Sequence, residues 1–370
     1  MSEEVPELVR QWVSVPGGSC DVRVGRDLVE GLGSVLKTVA GRPEVCAIVV
    51  PAGSDEGLVE RLRRQVTDAG FRAARVDAPS GGSARDVGAL CELMAALGRA
   101  GVTSDDLVLA LGDADELSLA QAACSVWCGG VPLAAVALDL AGMLLVPASP
   151  RALDVDGREE VASFRLGIRY LFCDPLVMDL SLDSEATRLS LALMVATAVA
   201  DSRPTLEHLW DATPQIMEGD EDVLLDQAMA LLKARGKLAS STAVAVRQSL
   251  FYGQDFVRAL RPLVPAASEA ELLGEALRFS ARISAGEGKL DVDDVLVQDE
   301  LLERLGVEPI ECELEPGAMV EALRRERFAR SNRFLLALPQ AVGRVRLSSV
   351  DEDLLAEHAA AWCDAHLPEE

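Results

Sequence analysis

The sequence predicts an α/β plus α protein. An N-terminal Rossmann-like parallel-sheet domain is expected over residues 1–178, followed by a mainly helical domain over 179–370 with a short C-terminal hairpin. Three observations carry this reading. Apolar runs of strand length, such as VCAIVVP at Val45–Pro51 and LVLAL at Leu107–Leu111, alternate with amphipathic stretches through the first half. They lack the polar alternation of a half-exposed sheet, so both faces must be covered, as in a parallel sheet. From Leu189 onward the runs lengthen to helical size, and 49% of the 370 residues are hydrophobic, ample for packed cores.

The elements follow in order. CDVRV near Cys20 reads as a strand, Leu28–Thr38 as a helix and Val45–Pro51 as a strand. Leu58–Ala69 is an amphipathic helix ending at Gly70; FRAARV is the next strand, and Val87–Ala100 the next helix. LVLAL stops at Gly112, and LAAVAL and YLFC complete the strand series. The second half predicts helices at Ser190–Asp201, Asp222–Lys237, Ala243–Leu260, Glu269–Ala285 and Asp293–Leu305. Connections such as DATPQ and RPLVPAAS carry proline, which breaks helices. RFLLAL at Arg333–Leu338 and GRVRL at Gly343–Leu347 form a hairpin, and Asp351–His366 a last helix.

Composition excludes several functions. The formal net charge is −25, from 35 Lys+Arg against 60 Asp+Glu. Nucleic-acid binding is therefore not expected, because phosphate contacts need clustered cations. The uncharged stretch Leu117–Leu138 is broken by GGVP, and Leu189–Ala200 spans 12 residues where a bilayer crossing takes about 20, so no membrane association is expected. MSEEVPELVR is too acidic for a signal peptide, and the eight cysteines are scattered through apolar segments. Both observations point to a reducing cytoplasm. Cys124 and Cys128 share a helix face, but no second pair accompanies them, so they read as buried thiols. An imidazole metal site could draw only on His208, His358 and His366. The GDADE turn is acidic enough for a hard cation, but three carboxylates at a helix start more often cap it.

Six collinear segments carry a resemblance over essentially the full length. They are DVRVGRDLVEGLGSVL, DDLVLALGDADELSLAQAACSVWCGGVPLAAVAL, LFCDPLVMDL, SLFYGQDFVRAL, LLGEAL and RFLLALPQAVGRVRL. Together they resemble the 3-dehydroquinate synthase family, sugar-phosphate cyclases of the shikimate pathway of aromatic amino acid biosynthesis. The resemblance implies a dehydroquinate synthase-like fold, a homodimer, and NAD with Zn²⁺ or Co²⁺ as cofactors. It also implies a carbon–oxygen lyase reaction, in which NAD oxidises a substrate alcohol, phosphate leaves, the ketone is reduced back and the ring closes. One glutamate and two histidines would hold the metal, and lysines and arginines the anionic substrate.

The family's positions fall here on other residues. The metal glutamate falls on Ala192, and the two histidines on Gln254 and Leu273. The glycine-rich cofactor turn reads Gly112-Asp113-Ala114, and the Pro-Thr-Thr run ends on Asp139. Arg151, Arg247, Arg258 and Lys233 remain as a residual anion site. The expectation is a family member that is catalytically inactive or functionally diverged, holding a small anionic metabolite or a partner protein, with no cofactor indicated by its own residues. Two alternatives stay open: an active, divergent cyclase with another metal constellation, and a polyol oxidoreductase of the glycerol dehydrogenase type.

Overall fold

The computed structural model describes residues 8–39, 44–149, 152–164 and 167–368. They divide into two compact units, Met1–Leu180 and Ser181–Glu370.

Unit 1 is built on a seven-stranded sheet. Its elements are β1 (Val9–Val15), β2 (Gly18–Val24), α1 (Leu28–Val39), β3 (Val45–Pro51), α2 (Glu56–Asp68), β4 (Arg72–Ala78), α3 (Val87–Ala100), β5 (Leu107–Gly112), α4 (Ala114–Val126), β6 (Leu133–Ala137), α5 (Leu140–Leu145), β7 (Ala152–Val155), β8 (Arg158–Ser163) and β9 (Tyr170–Cys173). The spatial order is β1-β2-β9-β6-β5-β3-β4, and β7 pairs with β8 in a separate hairpin. All neighbours in the large sheet run parallel except β1, which is antiparallel to β2. The register aligns Ile48 with Leu109, Leu109 with Ala134, and Ala134 with Tyr170.

The apolar strands are buried on both faces, as their composition requires: every residue of β3, β5 and β6 is buried. One face packs Ile48, Leu109 and Phe172 against Leu32 and Leu36 of α1 and Leu58 and Leu62 of α2. The edge strands β1 and β4 are only partly buried. Strand β4 lies outside β3 while β5 returns to its inner side, so the order reverses beside the carboxyl end of β5. In open α/β sheets, ligand crevices lie at such reversals.

Helices α1 and α2 approach so closely that a Cβ on Gly33 would run into the carbonyl oxygen of Gln65. Gly33→Ala is expected to destabilise unit 1 by about 1–3 kcal/mol through this backbone clash, read as a lower midpoint in urea unfolding. The buried carboxylate of Asp174, just after β9, accepts from the Val29 and Leu176 N–H groups and so ties the strand end to the start of α1.

Unit 2 comprises α6 (Glu185–Asp201), α7 (Arg203–Met217), α8 (Glu221–Ala239), α9 (Val244–Arg247), α10 (Gln254–Leu260), α11 (Glu269–Gly286), α12 (Val292–Arg304), α13 (Pro316–Arg330), the hairpin β10 (Leu336–Ala341) and β11 (Arg344–Ser348), and α14 (Glu352–Ala365). Side chains at the N-caps fix most helix starts: Ser184, Ser202, Asp220, Ser268, Asp291 and Asp351 each accept from a first-turn N–H. Helix α6 is buried almost all round and packs on α7, α8 and α11.

Two expectations are corrected. The single helix expected at Ala243–Leu260 is divided into α9, a 3₁₀ turn at Gln248–Phe251, and α10. Gly253 takes a left-handed φ of +79°, which a right-handed helix cannot pass through. The break expected at DATPQ is absent, because α7 runs through Pro214 to Met217. Proline sits only one turn from the helix end there, and Thr213 bonds the Leu209 carbonyl beside it. Among the described residues no helix is long and apolar enough to cross a membrane.

Candidate functional site

The first candidate site lies at the carboxyl ends of the central strands. Strand β5 ends at Gly112, and Asp113 caps α4 immediately afterwards. Asp113 Oδ1 accepts from the N–H groups of Asp115 at 2.8 Å and Glu116 at 2.9 Å. Glu116 reaches back, its Oε2 accepting from Asp113 N–H at 3.0 Å, and its carboxylate also accepts from the Gly81 N–H. The two carboxylates form a reciprocal capping box around Ala114. At this turn an α/β fold offers backbone N–H groups to a pyrophosphate. Here those donors are held by the chain's own acids, and the Glu116 side chain fills the space a Cβ on Gly112 would need.

The next turn is also acidic. Asp139, 9% exposed, caps α5 by accepting from Gly142 N–H at 2.6 Å. Burial pushes its pKa up to about 6, with repulsion from Asp113, Asp115 and Asp179 acting in the same direction. Burial likewise pushes Glu116 up to about 7, with Asp113 adding to the effect. Carboxylates that already resist ionisation would oppose a phosphate beside them.

The second candidate site lies inside unit 2, where α6, α10 and α11 meet. Ala192 is fully buried on α6 and Leu273 is 1% exposed on α11. Leu273, Ala276 and Leu277 close on Gly253, directly before Gln254. The fold therefore brings the start of α10 against Leu273, but the contact is aliphatic. Gln254 lines a cavity of about 10 Å³, room for one water at most, together with Thr197, Ser249 and the buried Arg235. The Arg235 Nη1 donates to Thr197 Oγ1 at 2.8 Å. Among the described residues, no group of three or more His, Cys, Asp or Glu is placed to hold a metal.

The expected residual cations have separate partners. Arg247 Nη1 donates to the carbonyls of Ser241 and Thr242 at 2.6 and 3.1 Å. Arg258 lies 3.6 Å from Asp255, which Arg327 of α13 also approaches at 3.5 Å. Lys233 is exposed on α8, and Arg151 lies outside the described residues.

No family model matches the chain. A 3-dehydroquinate synthase of Streptomyces avermitilis is 24% identical over 278 residues, covering 73% of this chain and 74% of that one. The chain is thus similar, at a distance, to 3-dehydroquinate synthases. A solved 2-deoxy-scyllo-inosose synthase, complexed with carbaglucose-6-phosphate, NAD⁺ and Co²⁺, superposes on it with a TM-score of 0.80. That pair is 14% identical and covers 95% of this chain and 99% of the other. An iron-containing alcohol dehydrogenase shares the fold at a TM-score of 0.65 and 15% identity, covering 96% of this chain and 99% of that one.

The residues of this synthase-like chain do not fit the groups its fold implies. Ala192 and Leu273 carry no donor atom, and Arg235 places a guanidinium in the cavity Gln254 lines, where a divalent cation would be repelled. The α4 turn offers carboxylates where a dinucleotide needs free N–H groups.

The dehydroquinate synthase-like reading did not single out Arg235, or the interior role of Glu275. Both stand on the buried side of a helix at three- and four-residue spacing from apolar neighbours: Leu231 and Leu232 before Arg235, and Leu272 and Phe279 around Glu275. A charged residue in a core stripe is the sequence signal that marks them.

Proposed function

We propose that this chain is a catalytically silent member of the dehydroquinate synthase fold, retained as a binding protein for a small metabolite or a partner protein. One observation carries the reading: Asp113 and Glu116 occupy the N–H donors at the start of α4. A chain that cannot receive the hydride carrier cannot run the oxidation that opens the cyclase reaction. The aliphatic junction of Ala192 and Leu273 supports the same conclusion from the other unit. A role in the shikimate pathway would then be exerted through binding, not through turnover.

Thermal unfolding with saturating NAD⁺, Zn²⁺ or Co²⁺ tests this. Any ligand that binds only the folded chain raises the midpoint by mass action. The expected result is no shift with any of the three and no stoichiometric metal in the purified protein. A midpoint raised by NAD⁺, or conversion of a heptulosonate phosphate substrate, sinks the proposal and restores the active-cyclase reading.

A further inference from the structure

Helices α11, α12 and α14 enclose a cavity of about 270 Å³ whose lining includes two of the three histidines, His358 and His366. It lies on the side of α11 that carries Glu275, Arg278 and Arg282, away from the Leu273, Ala276 and Leu277 face that packs on Gly253. It is therefore separate from the junction at Gln254.

Charges of both signs line this cavity, and some of their bonding capacity is unused. Asp299 is 7% exposed; its Oδ2 lies 2.7 Å from Arg282 Nη2, while its Oδ1 is buried without a hydrogen-bond partner. The Nε of Arg278 is likewise buried and unpartnered, although its other nitrogens bond Glu275 and the Val307 carbonyl. Natural interiors rarely leave such groups open. His366 Nδ1 lies 2.6 Å from the Trp362 carbonyl, which can only accept, and its Nε2 lies 2.8 Å from Glu275. Burial works against the charged imidazole, but Glu275 beside it outweighs that, so His366 holds a proton more readily than a free histidine. Phe279, Pro309 and Ala361 supply an apolar wall.

This lining discriminates among occupants by charge. A simple anion would meet Asp299 and Glu303, and a simple cation would meet Arg278, Arg282 and His366. A molecule with both charges a few bonds apart satisfies each set. We propose that the cavity binds a small zwitterion, an α-amino acid. Its ammonium group pairs with the Asp299 carboxylate, its carboxylate accepts from Arg282, and its side chain lies on the apolar wall. The proposal stands independently of whether unit 1 binds NAD.

The test is thermal unfolding of the full chain with millimolar L-amino acids, each added singly. Two half-ligands serve as controls: propionate, which has only the carboxylate, and ethylamine, which has only the ammonium. At least one amino acid is expected to raise the midpoint by about 2–4 °C at saturation. Neither half-ligand is expected to do so. Arg282→Gln changes a half-exposed side chain and keeps a hydrogen-bond donor beside Asp299, and it is expected to weaken binding about tenfold or more. Asp299→Asn provides the complementary loss on the ammonium side. The proposal is overturned if no amino acid shifts the midpoint, if a half-ligand shifts it equally, or if the shift survives Arg282→Gln.

Discussion

Glu275→Leu is expected to destabilise unit 2 by about 3–5 kcal/mol, the largest effect of any single substitution considered. Glu275 is fully buried, and its two oxygens face three partners. Oε1 accepts from Arg278 Nη1 at 3.2 Å, while Oε2 accepts from Trp362 Nε1 at 2.8 Å and pairs with His366 Nε2 at 2.8 Å. Leucine would fill the volume and leave the Arg278 guanidinium, 5% exposed, without its counter-charge. Trp362 of α14 and His366 just after it would lose their anchor on α11. Urea unfolding measures the loss, and the double variant Glu275→Leu/Arg278→Met separates its causes. If the penalty comes from the stranded guanidinium, the double variant recovers a large part of it. If Glu275→Leu leaves the midpoint unchanged, the buried pair is not the α11–α14 tie described above.

The second large effect is on pH dependence. Asp139 rises from 3.8 to about 6 and Glu116 from 4.5 to about 7, both chiefly through burial. The folded chain therefore holds protons that the unfolded chain has already released. Stability falls as pH rises between about 4 and 7, because the folded state binds more protons across that window. Asp299 and Asp255 are also raised, first by burial, and they add to the same trend. At the acid end, Arg10 and Arg23 hold Asp21 below its usual range despite its burial, so its contribution is lost only as pH drops further. Maximum stability is expected near pH 4, with a loss of about 2–4 kcal/mol by pH 8 after discounting the partly exposed Glu116. Asp139→Asn keeps an acceptor for Gly142 N–H and is expected to gain about 1–2 kcal/mol at pH 8, a gain that halves by about pH 5 and fades below about pH 4. A flat stability profile across this range would show that these carboxylates ionise freely.

Much of the fold could be read from the chain because the central strands are unambiguous. VCAIVVP and LVLAL have no polar residue to expose, so their burial and parallel pairing follow directly. Helix α3 follows Val87–Ala100 residue for residue, with Asp86 at its start and the left-handed Gly101 at its end. Other elements gave weaker signals. Strand β1 and the β7–β8 hairpin mix polar and apolar residues at an edge. Helix α7 was obscured by Pro214, and α13 has only Met319, Ala322 and Leu323 buried among many charges. At the candidate sites, the residue types at Asp113, Asp139, Ala192 and Leu273 were legible, but their bonding was not. That Glu116 folds back onto Asp113 N–H depends on the turn of the chain, and no spacing rule distinguishes it from an outward-facing acid. The mixed-charge cavity draws on residues from 275 to 366, so only tertiary packing assembles it.

The capping box at the start of α4 also bears on how this protein persists in a cell. A nucleotide-dependent relative must keep its phosphate turn open, and its folded population then rises and falls with cofactor supply. Here the turn is already complete with groups the polypeptide brings itself. On the proposed reading the abundance of this chain is uncoupled from the nucleotide pool, and starvation that empties the pool is not expected to expose unit 1 to proteolysis.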